Sequence, residues 1–581
     1  MGIYTADFET TYNLERTRVW AYALCDIKNI DNVIVGKSID EFMEFCANKR
    51  ENHKIFFHNL KFDGSFILYW LFENGFKCVT NDEDVTDRTF KTIISDLGLW
   101  YSIEVYFSKK GRRINKVTFQ DSLKLIPMSV DAIAKTFHLP ISKLKIDYRK
   151  EEYNDPNYEM TEEEKAYIIN DVKITAYAIN YFFEQGLTKM TIGSCALEDY
   201  KKLISKKCFE RWYPIPYYDE DVRQSYKGGY TYLNPKFTNK VVKDIVVFDV
   251  NSLYPSVMRY EYLPFGTPIA YEGKFPGDNI YNLYVQQIKC SFELKPGKIP
   301  TIQIKHGGRF RANEYLTSSE DEEVVLTLTS VDLELFLEHY DVYNLEYLRG
   351  WMFKGTKGLF ADYIDKWSEI KIRSKEEGNH GMYLISKLFL NSLYGKFGAG
   401  TIVRSKVPFY SEDDGLIHYK IDDGVEKDGI YIAIASFITS YARKKTITSA
   451  QLVMDNYNSG KSDIEFIYSD TDSLHLKSPG FKIPEYLDIS PTKLGAWKFE
   501  SKAVKGKFLR QKCYIELSTE DIDNPKPDYE LKITVAGMPK GCYQYVNFSN
   551  FKPGVTYQGK LSPVNVEGGT VLKDIEFTIK E

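Results

Sequence analysis

The 581-residue sequence has no apolar run approaching the ~20 residues of a membrane span. Its opening MGIYTADFET lacks the basic n-region and apolar core of an export signal. Ala6 stands where a myristoylation motif has Ser or Thr. The expectation is a protein with no membrane attachment. Cysteine is sparse, at positions 25, 46, 78, 195, 208, 290, 513 and 542, and no two form a CxxC pair. That argues against structural zinc and a redox dithiol, and leaves free, mostly buried thiols in a reducing compartment. Charge of one sign is lacking too: 76 Lys and Arg meet 81 Asp and Glu, a net charge of −5. Such a balance excludes a protein that holds nucleic acid by bulk charge alone. It leaves room for local basic surfaces, and KIRSK (371–375), YARKK (441–445) and SKAVKGKFLRQK (501–512) supply them. No internal repeat or low-complexity tract interrupts the chain.

The length exceeds one hydrophobic core and predicts three or more structural units. Residues 1–188 alternate strand-like and helix-like patterns and read as one α/β domain. GIYTADFET and KIFFHNL are strand-like; GSFILYWLFENGF predicts a helix ending at Gly75. TEEEKAYIINDVKITAYAINYFFEQG predicts a long helix opened by a Thr161–Glu164 capping box and closed by Gly186. Its apolar stripe is Ile169, Val172, Ala176, Ile179 and Phe183. From about 189 the pattern changes. VVKDIVVFDVNSLYPS is a strand entering a turn, residues 265–350 are rich in Pro, Gly and short β-like runs, and 362–395 read as two helices broken near Gly378 and Gly381. Residues 401–429 read as a long hairpin with an acidic tip, SEDDG.

Acidic residues fall at structural spacings. Asp7 and Glu9 are i and i+2 on a strand and share a face. Asp63 follows the second strand, and Tyr167 and Asp171 are i and i+4 on the long helix. Four acids and a tyrosine from these elements would converge on a site for two divalent ions. Such a pair stabilises both the attacking water and the leaving oxygen of phosphodiester cleavage, and Mg²⁺ favours all-oxygen sites. A DxE pair alone is more often a solvated edge.

A second group lies further on. Asp249 ends an apolar strand, and YSDTDS supplies Asp470 and Asp472 from 221 residues later. Like charges this close resist ionising together, and neither segment carries its own lysine or arginine. Two Mg²⁺ ions between them would serve a primer 3′ hydroxyl and a triphosphate. DTD alone also suits an acidic turn in water, but Asp249 after IVVF is expected to be buried. In SKLFLNSLYGKFG, Lys387, Asn391 and Tyr394 share a helical face, opposite Leu388 and Leu393. There a lysine neutralises phosphate and an aromatic stacks on a base.

With DFET, HNLKFD, YxxxD, YxGG, DxxSLYP, KxxxNSLYG, YxDTDS and KxY in this order, the chain resembles the family B DNA polymerases, in their protein-primed phage branch. The resemblance runs through essentially the whole chain. It implies a DnaQ/RNase H-like 3′–5′ exonuclease domain (1–188) followed by a right-hand polymerase domain, of mixed α/β and α+β class. The latter would comprise palm (189–260 and 431–535), a first insertion contacting a terminal protein (261–360), fingers (361–397), a second insertion for processivity and strand displacement (398–430) and thumb (536–581).

By matched motif, Asp7, Glu9, Asp63 and Asp171 would be exonuclease metal ligands. Tyr167 would orient the water and Lys143 assist. Thr10, Asn59, Phe62, Ser122, Leu123 and Tyr148 would hold the frayed primer end. Asp249 and Asp472 would be the main polymerase metal ligands, with Val250 in the same metal site and Asp470 beside them. Tyr254 would lie under the incoming sugar, Lys371 and Lys387 against the triphosphate, and Tyr394 against the nascent pair. Thr439, Arg443, Tyr226, Gly228 and Gly229 would contact template, and Lys512 and Tyr514 would grip the primer. The implied cofactor is Mg²⁺, two ions per site, with Mn²⁺ as substitute. The implied partners are primer-template DNA, single-stranded DNA, dNTPs and a phage terminal protein that acts as primer. Monomeric action in the cytoplasm of an infected bacterium completes the expectation. The sequence departs from the family pattern in the Gly-rich KEEGNHG of the fingers and in Tyr383, where a lysine is usual. Two other readings compete: a dedicated 3′–5′ exonuclease with a degenerate DNA-binding polymerase domain, and a non-catalytic single-strand binder using the 44 tyrosines for stacking. Intact carboxylates in both groups disfavour each, because an uncompensated buried charge is costly to keep.

Overall fold

The computed structural model describes residues 2–48, 52–110, 113–304, 314–320, 322–524 and 526–580. The N-terminal domain is built on an eight-stranded mixed sheet. Near its centre Gly2–Thr10 runs antiparallel to Val19–Asp26 and parallel to His53–Phe57. The helix Leu60–Glu73 starts directly after that third strand, earlier than its apolar run predicts, so Asp63 sits in its first turn. The helix Glu162–Glu184 opens with the expected capping box. Of the predicted stripe, Val172, Ala176 and Ile179 are buried, while at its two ends Ile168 and Phe182 are buried in place of Ile169 and Phe183, which are only half-buried. Thr5 Oγ1 donates to Val172 O at 2.8 Å and fixes this helix against the first strand.

The second large sheet has seven strands, with Val241–Val250 in the middle. It lies between Trp497–Arg510 and Ser473–Lys477, antiparallel to both. Cys513–Thr519 and Glu530–Val535 extend one side, and Glu465–Asp470 and Thr231–Leu233 the other. The helix Ile432–Asn458 packs against this sheet and is buried on most of its circumference. Between residues 261 and 360 a separate four-stranded sheet carries the helix Ser330–His339.

Ala361–Glu376 and His380–Phe397 form the helix pair. The break is at Gly378, in the left-handed region at φ 68°. Gly381 lies next to the break, as the second residue of the second helix, packed against Tyr181 and Phe137. The hairpin Lys406–Tyr410/Ile417–Ile421 lies on the N-terminal domain, where Asp96 N donates to Arg404 O at 3.1 Å. Its acidic tip residues Glu412, Asp413 and Asp414 face solvent. A last hairpin, Thr556–Val566/Gly569–Thr578, also returns to the N-terminal domain. Thr17 N donates to Glu567 O at 2.9 Å, Arg149 pairs with Asp574, and Asn565 Nδ2 donates to Ile417 O at 2.8 Å. Arg149 and Asp574, 425 residues apart in sequence, are thereby joined side by side.

Replacing Thr161 by Ala removes one half of the capping box and is expected to cost about 1 kcal/mol. The check is a lower denaturation midpoint of the N-terminal domain, recovered by Thr161→Ser.

Candidate active sites

The first strand puts Asp7 and Glu9 on one face, with the Phe8 N–H between them donating to Asp63 Oδ1 at 3.2 Å. Asp171 and Tyr167 reach the same cavity from the long helix, and Lys143 from the loop before it. The cavity measures about 320 Å³. Burial and the neighbouring Asp171 push the Asp7 carboxyl up to about 7, against the opposing pull of Lys143 and the Phe8 N–H. Burial likewise raises Glu9 and Asp63, with Asp7 adding to each. Asp171 is raised by burial although Lys143 donates to its Oδ2. Its other oxygen, Oδ1, is buried with no partner. The Lys143 ammonium also lies 5.2 Å from the Tyr167 ring centroid.

Thr10, Asn59, Phe62 and Tyr148 line this cavity with the acids. Ser122 and Leu123 do not. Ser122 is fully buried, 2.9 Å from His58 Nδ1, and Leu123 N donates to Asp121 Oδ1 at 3.0 Å. Asp121 also accepts from Asn59 N at 3.0 Å, so this segment holds the cavity rim from behind. Three wall residues, Thr570, Val571 and Leu572, come from the last hairpin. Nothing local in the sequence marks them.

The second cavity, about 400 Å³, opens where Val241–Val250 ends. Asp249, Val250 and Asp472 face Lys371, Lys387 and Asn391 from the helix pair across it. Val250 N donates to Asp472 O at 2.8 Å, which locks the two acidic segments together. Tyr254 stacks on Tyr394 with ring centroids 4.2 Å apart and forms one wall. Tyr383 lines the cavity too, one turn before Lys387. Burial and Asp472 push the half-buried Asp249 up to about 7, with Glu500 adding to it and Lys498 opposing. Asp472 is raised by burial.

The acids are not as unaccompanied as their flanking sequence implies. Lys512 Nζ reaches Asp470 at 2.7 and 2.9 Å, and Lys498 pairs in register with Asp249. Both lysines come from the 497–512 stretch of the sheet, so only strand pairing reveals them. Thr231 Oγ1 also donates to Asp470 Oδ1 at 3.1 Å. Asp470 therefore turns away from the cavity toward Lys512.

The other expected DNA contacts fall into two groups. Lys512 and Tyr226 are accessible in part, whereas Thr439, Arg443 and Tyr514 are buried. Arg443 donates to the Lys227 and Gly228 carbonyls at 2.9 and 2.8 Å and to both oxygens of Asp332. It holds the YKGG loop in place. Thr439 Oγ1 donates back to Ala435 O at 3.0 Å. Gly229 passes so close to Thr471 that a Cβ would collide with that side chain, while Gly228 is open.

Among the described residues no three carboxylate, thiolate or imidazole groups already close round one point. The acids instead line two cavity walls, with only oxygen donors, raised proton affinity and one orphaned carboxylate oxygen. A hard divalent cation fits that donor chemistry, and the Lys143 ammonium is a partial stand-in for its charge.

The comparisons agree over the full length. A family model described as DNA polymerase type B, organellar and viral, matches residues 46–154 and 145–482. The DNA polymerase of Bacillus phage M2 is 44% identical over 592 residues, covering 100% of this chain and 99% of that protein. The chain belongs to the type B DNA polymerases. The DNA polymerase of Bacillus phage phi29 is 44% identical over 591 residues, with the same coverage. That of Streptococcus phage Cp-1 is 34% identical, over 100% of this chain and 98% of its own. The structure of phi29 DNA polymerase with primer-template DNA superposes with a TM-score of 0.92 at 43% identity, covering all of both chains. Its complex with primer-template DNA and incoming nucleotides superposes at 0.91. The protein is thus a DNA-directed DNA polymerase with an exonuclease-plus-polymerase fold, of a family that works with divalent metal ions.

Two outcomes are expected of this polymerase. Between about 4 and about 7 the folded state keeps a proton on Asp7 that the unfolded chain has lost, so with chelator present stability falls as pH rises across that window. Asp7→Asn is then expected to stabilise at pH 8 by about 1–2 kcal/mol, discounted because Asp7 is only partly covered; thermal denaturation with EDTA reads it. Arg443→Met strands Asp332 and is expected to destabilise by about 3–5 kcal/mol, with a lower melting midpoint and weaker primer extension.

Proposed function

We propose that the two cavities are the two reaction centres of a phage replicase that is protein-primed, processive, strand-displacing and proofreading. The carrying observation is the cavity where Asp249 and Asp472 face Lys371 and Lys387: acids for cations on one wall, cations for a triphosphate on the other. Asp249 and Asp472, with the Val250 backbone, hold the ions; Mg²⁺ is proposed, two per site, with Mn²⁺ able to substitute. When bound, such ions activate the primer 3′ hydroxyl and neutralise the triphosphate. Lys371 and Lys387 take the phosphate charge as point charges. The Tyr254–Tyr394 stack supports the sugar and base of the incoming nucleotide. Lys512 grips the primer backbone from beside Asp470, and Tyr514 supports that turn from within the sheet. The YKGG loop (Tyr226, Gly228 and Gly229), braced by Arg443 and Thr439, guides template.

In the N-terminal cavity Asp7, Glu9, Asp63 and Asp171 are the proofreading ligands. Tyr167 orients water, and Lys143 balances charge beside Asp171. Thr10, Asn59, Phe62 and Tyr148 hold the frayed 3′ end, and Ser122 and Leu123 support it from behind the rim. The 261–360 unit receives a terminal protein whose hydroxyl starts the chain. The 398–430 hairpin, lying between the N-terminal domain and the last hairpin, encircles and unwinds DNA. Partners are primer-template DNA, single-stranded DNA and dNTPs, as in the solved phi29 complexes. The enzyme acts as a monomer in the infected bacterial cytoplasm; none of its described helices is long and apolar enough to cross a membrane.

A primer on a small single-stranded circle, with Mg²⁺, four dNTPs and no accessory protein, tests the reading. Products many circles long are expected; arrest after one lap removes the unwinding role. Asp249→Ala is expected to lower extension by at least about 10²–10³-fold while primer degradation persists, and Asp7→Ala to do the reverse. Loss of both activities in either folded variant would refute two separate centres.

A further inference from the structure

Beneath the polymerase centre His475 Nδ1 lies 2.9 Å from Glu516 Oε1, with side chains 4% and 1% exposed. The two residues belong to strands separated by two others, Val241–Val250 and Trp497–Arg510. Their meeting depends on Gly506, which pairs with Glu516. A Cβ at Gly506 would lie 3.2 Å from Glu516 Cγ and 2.6 Å from Ile245 Cδ1, so any side chain there would obstruct the reach.

The His475 ring is enclosed by aromatics. Its centroid is 5.3 Å from Tyr468, 5.7 Å from Phe508 and 5.1 Å from Tyr514, each steeply inclined. Two of these rings belong to the machinery above. The Tyr468 hydroxyl accepts from Lys512 N at 3.0 Å and donates to Asp470 Oδ2 at 3.4 Å. Tyr514 directly follows the Lys512 turn and stacks on Phe508. Both turns are under backbone constraint, because Thr471 and Lys512 hold φ of 58° and 52° without being glycine.

We infer that His475 and Glu516 are positioning residues for nucleotidyl transfer. Their hydrogen bond fixes the Tyr468 and Tyr514 rings, and through them sets the acidic turn 470–473 against the primer-side turn 510–513. A buried imidazole–carboxylate bond suits this task because it is directional, whereas apolar packing alone leaves rings free to shift. Neither residue touches the reacting atoms. The role rests on this sheet end being the polymerase centre, and the test separates the two.

The experiment uses the full chain, with single-turnover primer extension across dNTP concentrations, thermal melting, and exonuclease activity on single-stranded DNA as an internal control. His475→Phe is expected to lower kcat tenfold or more, since ångström-scale displacement of reacting groups costs up to about 10²-fold. KM for dNTP should change less than twofold, and single-strand degradation should be unaffected. His475→Asn, which keeps a donor near the Nδ1 position, should recover most of kcat. The double variant His475→Phe/Glu516→Met removes the stranded carboxylate and should recover the melting midpoint while kcat stays low. Recovery of kcat together with the midpoint in the double variant would overturn the inference, leaving only a stability role. Unchanged kcat in His475→Phe would overturn it too. If Asp249→Ala also left extension intact, the placement of the polymerase centre itself would fail instead.

Discussion

Burial of grouped carboxylates governs this molecule. In two places the fold gathers acids from distant elements and covers them, which raises their affinity for protons instead of leaving them ionised. A divalent cation beside such groups would favour their charged forms. Much of the surrounding structure manages that charge. Lys143 leans on Asp171, Lys498 opposes Asp249, and Lys512 takes Asp470 out of the cavity.

The two centres are built on different principles. The N-terminal one is assembled from a strand and two helices, one of them tied to the strand by a buried hydrogen bond, Thr5 to Val172, and is walled on one side by a hairpin from the far end of the chain. The other stands at the end of one antiparallel sheet, where tight turns carry the acids and a helix pair supplies the opposing lysines. The buried Arg443–Asp332 pair binds the YKGG loop to the long helix and to the 261–360 unit, a fixed joint among three segments.

Several local features were legible because they depend on near neighbours. A capping box needs only Thr161 and Glu164 three residues apart, and the i, i+4 relation of Tyr167 and Asp171 follows from the helix pitch alone. Val172, Ala176 and Ile179 are buried as predicted; the one-residue error at the two ends of the stripe, Ile168 and Phe182 in place of Ile169 and Phe183, has a simple cause. Which line of a broadly apolar helix faces inward is set by the sheet beneath it. The break near Gly378 and Gly381 was legible as well, whereas the packing of Gly381 against Tyr181 was not.

The sequence by itself determined the acids, their spacing along strands and helices, and a motif order specific enough to mark the family. Those properties are carried by residues within a few positions of one another. Tertiary structure decided which charges meet. Lys512 lies 42 residues from Asp470, and Glu516 lies 41 from His475 across two intervening strands. Thr570–Leu572 reach the N-terminal cavity from the opposite end of the chain. Strand register and hairpin docking place these groups, and both are set by burial summed over a whole sheet, which no short stretch of sequence encodes.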